Sequence, residues 1–117
     1  MSAATSTGRP AIAALRDRVQ ICRRDMAASD DGGHITTFVP IATVWGRVRA
    51  LAARQTETGD GRTATISHTV VLRYRTDIAP GDRLVYRGRN LAIIGADDLN
   101  GRRAFLSCTC SETSFTG

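Results

Sequence analysis

Apolar alternation that is repeatedly broken by turn chemistry is the strongest constraint this sequence places on its fold. In "HTVVLRYR", Val70, Leu72 and Tyr74 fall on one face and Val71, Arg73 and Arg75 on the other, the period of two that a half-buried strand requires. "APGD" then turns the chain into "RLVYRG", where Leu84 and Tyr86 face inward, and a tight turn near Gly88 leads into "RNLAIIGADD". Asn100-Gly101 is a further hairpin signal, after which "NGRRAFLSCTC" supplies a closing strand.

The first half of the chain obeys the same grammar less strictly. "RVQICRR" sets Val19 and Ile21 against Arg18, Gln20 and Cys22, and "MAASDDGGHIT" gathers Asp30, Asp31, Gly32 and Gly33 into a turn that joins two hairpin strands. "TTFVPIATVWGRVRAL" is long and β-branched, but Pro40 and Gly46 within it predict a bend or bulge instead of an unbroken central strand. Residues 52–67, "AARQTETGDGRTATIS", have a Gly59-Asp60-Gly61 turn signal and no apolar face, so they are expected to project as a long loop or an extended hairpin. Residues 1–9 read as a flexible tail, and "RPAIAALRDR" as a short N-terminal helical turn beginning near Pro10. Five or six short strands at hairpin spacing predict a mainly β fold: a small antiparallel β-barrel with a long inserted loop.

A chain of 117 residues with 42% apolar content supports one domain, 1–117, with a modest core. No apolar run is long enough to span a bilayer as a helix, and the N-terminus lacks the order of charges and apolar residues of a secretory signal; synthesis in the cytoplasm, away from membranes, is the expectation. The formal charge is +5 without a single lysine, and an all-arginine inventory suits bidentate contacts with carboxylate or phosphate. Cys22, Cys108 and Cys110 cannot all pair within one chain, so reduced and buried thiols are expected.

Little in the sequence promises catalysis. His34 lies beside the Asp30-Asp31 turn and His68 begins a strand, without the spacing of a metal site. Cys108 and Cys110 share a strand face, which Cys22 could join, yet the turn of a thiolate site is absent; small core residues are the simpler reading. No nucleophile elbow, P-loop or dinucleotide fingerprint occurs. Neither catalytic residues, metal nor cofactor is expected.

The arginines are more informative. Arg73, Arg75, Arg83, Arg87 and Arg89 are expected on the outer face of adjacent strands, where they could contact phosphates or a protein partner. Aromatic content of 5% is thin for a base-stacking platform, and Asp77 and Asp82 lie close by. An interface is therefore favoured over an OB-like nucleic-acid-binding barrel, which stays as the alternative.

With these residues in order, the chain resembles the head-tail joining proteins of tailed phages, the connector or stopper proteins of siphophages, prophages and gene transfer agents. The matching stretches are "LRDRVQI", "TVWGRVRAL", "SHTVVLRYRTDIAPGDRLVYRGRNLAIIGADD" and "RRAFLSCTCSE", nearly everything after Leu15. The family pattern falls on Trp45, Arg47 and Val48, then His68, Val70, Arg73, Tyr74 and Ile78, then Gly81, Arg83, Tyr86, Gly88, Arg89 and Ile93 or Ile94. Gly46 departs from it where alanine is common, and the Cys108-Thr109-Cys110 pair departs where one cysteine is usual.

The resemblance implies a structural virion protein and no enzyme. It implies a homo-oligomeric ring, sixfold or twelvefold, in the virion neck, below a portal or adaptor and above a tail terminator or tail tube protein. Double-stranded DNA would pass through without sequence-specific contacts. The 52–67 segment, with Arg54, Glu57, Asp60 and Arg62, would then clasp a neighbouring subunit or gate the channel, and Arg75, Arg83 and Arg87 would serve as an interface.

Overall fold

The computed structural model describes residues 15–57 and 63–113, with side chains described for 15–52 and 65–112. Six strands form: β1 (Asp17–Ala28), β2 (His34–Glu57), β3 (Thr63–Arg73), β4 (Arg83–Tyr86), β5 (Arg89–Asp98) and β6 (Phe105–Thr113). All pairings are antiparallel, and the order β1-β2-β3-β6-β5-β4 closes into a barrel because β4 returns to β1. The expected mainly β architecture is thus what forms. The expected N-terminal helical turn is not supported: Leu15 and Arg16 have no regular structure and Asp17 and Arg18 already belong to β1, while its earlier residues lie outside the described ones.

Inside the ring, the alternation read from sequence becomes the core. Val19 and Ile21 of β1, Val70 and Leu72 of β3, Leu84 of β4, Leu91 and Ile93 of β5, and Leu106, Cys108 and Cys110 of β6 form one buried cluster. Gly46 of β2 also faces inward, because the space beside it is taken: an added Cβ would lie 2.7 Å from Leu72 Cδ2.

Strand β2 departs most from expectation. It runs for 24 residues through both Pro40 and Gly46. Pro40 is tolerated because the ladder with β1 shifts there, Ile21 facing Ala42 and Cys22 facing Pro40, which leaves Ile41 as the extra residue of a bulge. A second irregularity separates the Ala50↔His68 and Arg54↔Ile66 pairs. A straight strand of that length would span about 75 Å; the longest molecular dimension is 65 Å, against 29 and 28 Å across, as expected of a strand bent at two bulges.

Gly46 is where β2 changes partner: its residues up to Gly46 pair with β1, and those from Gly46 onward pair with β3. Each end of β2 therefore leaves the ring in a two-stranded arm. The first arm comprises Arg23–Ala28 and His34–Val39, beyond the Gln20–Cys22 segment where β4 covers β1. The second pairs Arg54–Glu57 with Thr63–Ile66, so the described part of the 52–67 segment is hairpin.

Turn chemistry sets the remaining geometry. In Ala79-Pro80-Gly81-Asp82 the Asp82 amide donates to the Ala79 carbonyl at 3.1 Å and Gly81 has φ +96°, a type II turn with Pro and Gly at their preferred positions. Between β4 and β5, Arg87 and Gly88 both have positive φ, 51° and 77°, the requirement of a two-residue hairpin that follows strand twist.

Candidate interaction surface

Trp45 organises the most distinctive surface. Its neighbours in β2, Val44 and Gly46, are turned toward the core, so alternation places the indole outside, where it is 52% exposed. Arg18, its cross-strand partner in β1, lays its guanidinium over the ring at 4.8 Å, a cation–π contact. On the other flank, Trp45 and Arg73 line two adjoining clefts. One, about 420 Å³, is completed by Leu15 and Arg16; the other, about 320 Å³, by Val44, Tyr74 and Arg75. An exposed indole between arginines, with apolar walls, is the composition of a protein-binding hot spot.

A second surface lies on the first arm. Met26 and Ile35 are each 54% exposed and Val39 is 39% exposed. Register puts Met26 opposite Thr36 and Ile35 opposite Ala27, so the two bulky side chains occupy opposite faces of the ribbon. At its tip, the Ser29 amide donates to the Gly33 carbonyl at 2.8 Å and the Gly32 amide to the Ser29 carbonyl at 3.2 Å. Asp31 accepts hydrogen bonds from the Ser29 hydroxyl and the Gly33 amide, which hold its carboxyl below the usual carboxylate range. Asp30 and Asp31 are both exposed, so the arm ends in an ordered acidic turn.

The base of this arm is fixed by Asp82, a 6% exposed carboxylate that accepts from the Arg24 and Ala79 amides, each at 3.0 Å. The Arg24 guanidinium packs where a side chain on Gly81 would stand, 2.8 Å from its ideal Cβ position. Arg83 lies over Phe38 at 3.8 Å.

The residues singled out in the sequence divide accordingly. Val48 donates its amide to Asp17 Oδ2 at 2.9 Å, and the Tyr86 hydroxyl donates to Asp17 Oδ1 at 3.3 Å. Tyr74, Ile78 and Tyr86 pack against the core, and Arg47 is half-buried opposite Val71. His68 is buried, with Nδ1 2.8 Å from the Ser67 hydroxyl, whereas His34 is exposed at the start of β2. Gly81 and Gly88 serve turns. Arg54 and Glu57 fall in the second arm, opposite Ile66 and Thr63; Asp60 and Arg62 lie outside the described residues.

The arginines do not share one face of adjacent strands. Arg73 ends β3 while Arg83 begins β4, and the ring separates those strands by β6 and β5 on one side and by β1 and β2 on the other. Several are already engaged: Arg75 with Asp77 at 2.8 Å, Arg89 with Glu112 at 3.8 Å, Arg83 on Phe38, and Arg87 over Tyr86 at 5.3 Å. The Arg75 pairing holds the Asp77 carboxyl below the usual carboxylate range.

Among the described residues, the buried polar side chains His68 and Asp82 are held by Ser67 and by the Arg24 and Ala79 amides. Burial, with a smaller contribution from Asp97, pushes the Cys108 thiol up to about 12, and burial also raises Cys110, so neither is a nucleophile at neutral pH. Among the described residues, no group of three or more potential ligands gathers as a metal site. Cys22 is buried but sits outside the core cluster that holds the other two cysteines. Sequence reading missed the arm's exposed side chains; its signal was "HITTFVPI", a strand with apolar residues on both faces.

A family model described as phage head completion protein matches residues 10–113. The chain belongs to the phage head completion protein family. Its role is accordingly structural, in the phage head, and not enzymatic. A chain from the virion of a native gene transfer agent particle is similar in fold, with a TM-score of 0.66 and 21% identity over 90% of this chain and 98% of that one. The solution structure of protein SF1141 from Shigella flexneri 2a is equally similar, with a TM-score of 0.66 and 24% identity over the same shares. No curated protein sequence matches. In this chain the closed strand ring is the scaffold, and the Trp45 face and the two arms are the parts it presents.

Proposed function

We propose that this head completion protein acts in the virion neck as a homo-oligomeric ring, sixfold or twelvefold. The portal or adaptor would lie above it and the tail terminator or tail tube below, with packaged double-stranded DNA retained in the channel without sequence readout. The observation that carries the reading is the family match across residues 10–113. Two features support it. Arms leave the ring from opposite ends of β2, giving one small subunit two separate attachment elements. Several arginines are engaged with acidic or aromatic partners of their own chain, which suits a channel that must let DNA slide, since each neutralised phosphate adds affinity. In this reading the second arm, with Arg54, Glu57, Asp60 and Arg62, clasps the neighbouring subunit or narrows the channel.

Electron microscopy of particles from cells carrying an in-frame deletion of the gene tests this. Free tails beside tailless heads are expected, empty heads adding DNA retention to tail docking. Intact tailed particles would overturn the reading. Removing Thr56 to Thr63 should leave a folded ring of strands but heads that lose DNA or fail to take tails. Tight DNA binding by the isolated protein at physiological salt would favour the OB-like alternative.

A further inference from the structure

We infer that the acidic tip of the first arm docks into the Trp45 cleft of a second copy of this chain. The inference rests on the proposed self-assembly and names the surfaces that make it. The arm needs a partner. A two-stranded ribbon is marginal in water, and this one exposes Met26, Ile35 and Val39. No third strand covers β1 beyond Cys22 among the described residues.

The Trp45 cleft matches it in both chemistries. Its apolar walls, Leu15, Val44 and Trp45, suit Met26 or Ile35, and its rim carries Arg16 and Arg73, with Arg75 held by Asp77, where the tip carries Asp30 and Asp31. The tip turn is already hydrogen-bonded, so little ordering entropy opposes docking. Within one chain the two surfaces cannot meet: the β1–β2 ladder sets Trp45 against Arg18 at one end and His34 against Ala28 at the other, about 35 Å away at strand rise. The contact is therefore between copies and joins two different patches; repeated head to tail it is heterologous, the kind that closes rings. A basic face beside an indole could also hold nucleic acid; the apolar cleft walls and the acidic counterpart on the same chain favour the protein partner.

Cross-linking in assembled particles tests this with the full chain. The native cysteines are buried, so Asp30→Cys combined with Arg73→Cys should give a ladder of disulfide-linked multimers, absent from either single variant. Asp30→Arg should lower incorporation into heads by about tenfold or more, as expected of a centre-of-interface contact, and adding Arg73→Asp should restore part of it. Trp45→Ala should do the same while leaving the monomer's unfolding midpoint nearly unchanged. If several copies per particle are found yet no ladder forms and these variants assemble normally, the inference fails and the ring survives. A single copy per particle, or tail joining without the protein, overturns the ring reading itself. Photocross-links from the Trp45 face to packaged DNA would assign that face to nucleic acid and overturn the inference.

Discussion

A methyl group added at Gly46 measures how tightly the ring is packed at the point where β2 changes partner. An ideal Cβ there falls 2.7 Å from Leu72 Cδ2, 3.0 Å from the Val71 carbonyl oxygen and 3.5 Å from Val19 Cγ2. Carbon atoms in contact sit about 3.5–4.0 Å apart, so Leu72 must retreat by about 1 Å. It has nowhere open to go, since both Leu72 and Val19 are fully buried. The carbonyl belongs to the β2–β3 ladder, where Val71 pairs with Arg47. Overpacking of this kind costs about 1–3 kcal/mol, and the backbone gain from replacing glycine in a strand returns about 0.5–1 kcal/mol. Gly46→Ala should therefore lose about 1 kcal/mol, the two ranges spanning about 0–2.5, a fall of about 5 °C in Tm for a domain this small. Gly95→Ala is the control: nothing lies within 4 Å of its added Cβ, so it should be neutral or stabilising by about 0.5 kcal/mol. Leu72→Val should be less costly in the Gly46→Ala background than in the wild type, because the two side chains compete for one space. Urea and thermal unfolding of the wild type and the four variants, the Gly46→Ala/Leu72→Val double variant among them, give every value. An alanine at 46 that leaves stability unchanged, with Leu72→Val additive to it, refutes the reasoning.

Three further outcomes are expected. Asp82→Ala removes the acceptor of two amides at the base of the first arm and should cost about 2–4 kcal/mol, with hydrogen-exchange protection lost at Arg24 and Ala79; retained protection contradicts the anchor. Because burial raises the Cys108 thiol to about 12 and raises Cys110 too, unfolding lets both release protons nearer their ordinary value. Stability should be intact below that value and fall as pH rises above it toward about 12; Cys108→Ala with Cys110→Ala should flatten the decline in urea midpoints, and an unchanged slope contradicts it. Finally, amides of Arg23–Ala28 and His34–Val39 should exchange by local fraying well before those of Val19, Val70 and Ile93, and protection equal across arm and ring would show that the arm is stable alone.

Local pattern made the ring's interior legible and left its connectivity hidden. Val19, Ile21, Val70, Leu72 and Leu84 could be placed inward because a period of two is a property of each strand by itself. The Asp30–Gly33 and Gly81 turns were readable for the same reason. That β3 pairs with β6, separating Arg73 from Arg83, depends on residues far apart in sequence, which no window of alternation contains. Pro40 correctly signalled an irregularity, whereas Gly46 pairs in register with Asp17 and Leu72, and the strand continues through both. A bulge accommodates the proline, and the fully buried Leu72 fills the space that an alanine at 46 would take. Trp45 stood out as a family residue, but its exposure followed only from the inward turn of Val44 and Gly46.

The placement of charge also decides what kind of assembly the fold permits. Beyond Gly46 in either direction β2 has a partner on one edge only among the described residues, and bare edges invite pairing with another copy. A contact between like surfaces would set one acidic tip against another, or one Trp45 face with Arg16, Arg18 and Arg73 against its twin. Both bring like charges within the roughly 8 Å over which they repel at physiological salt. Only the tip-to-cleft arrangement opposes unlike charges, so the same residues that favour docking also disfavour dimers built on two like surfaces. Repeated head to tail, the contact leaves a growing chain with one unused tip at one end and one unused cleft at the other, and growth stops only when the rotation between copies closes a ring. Closure is then a matter of the angle at which the arm leaves the strand ring, which the bulge at Ile41 and the Asp82 anchor set together.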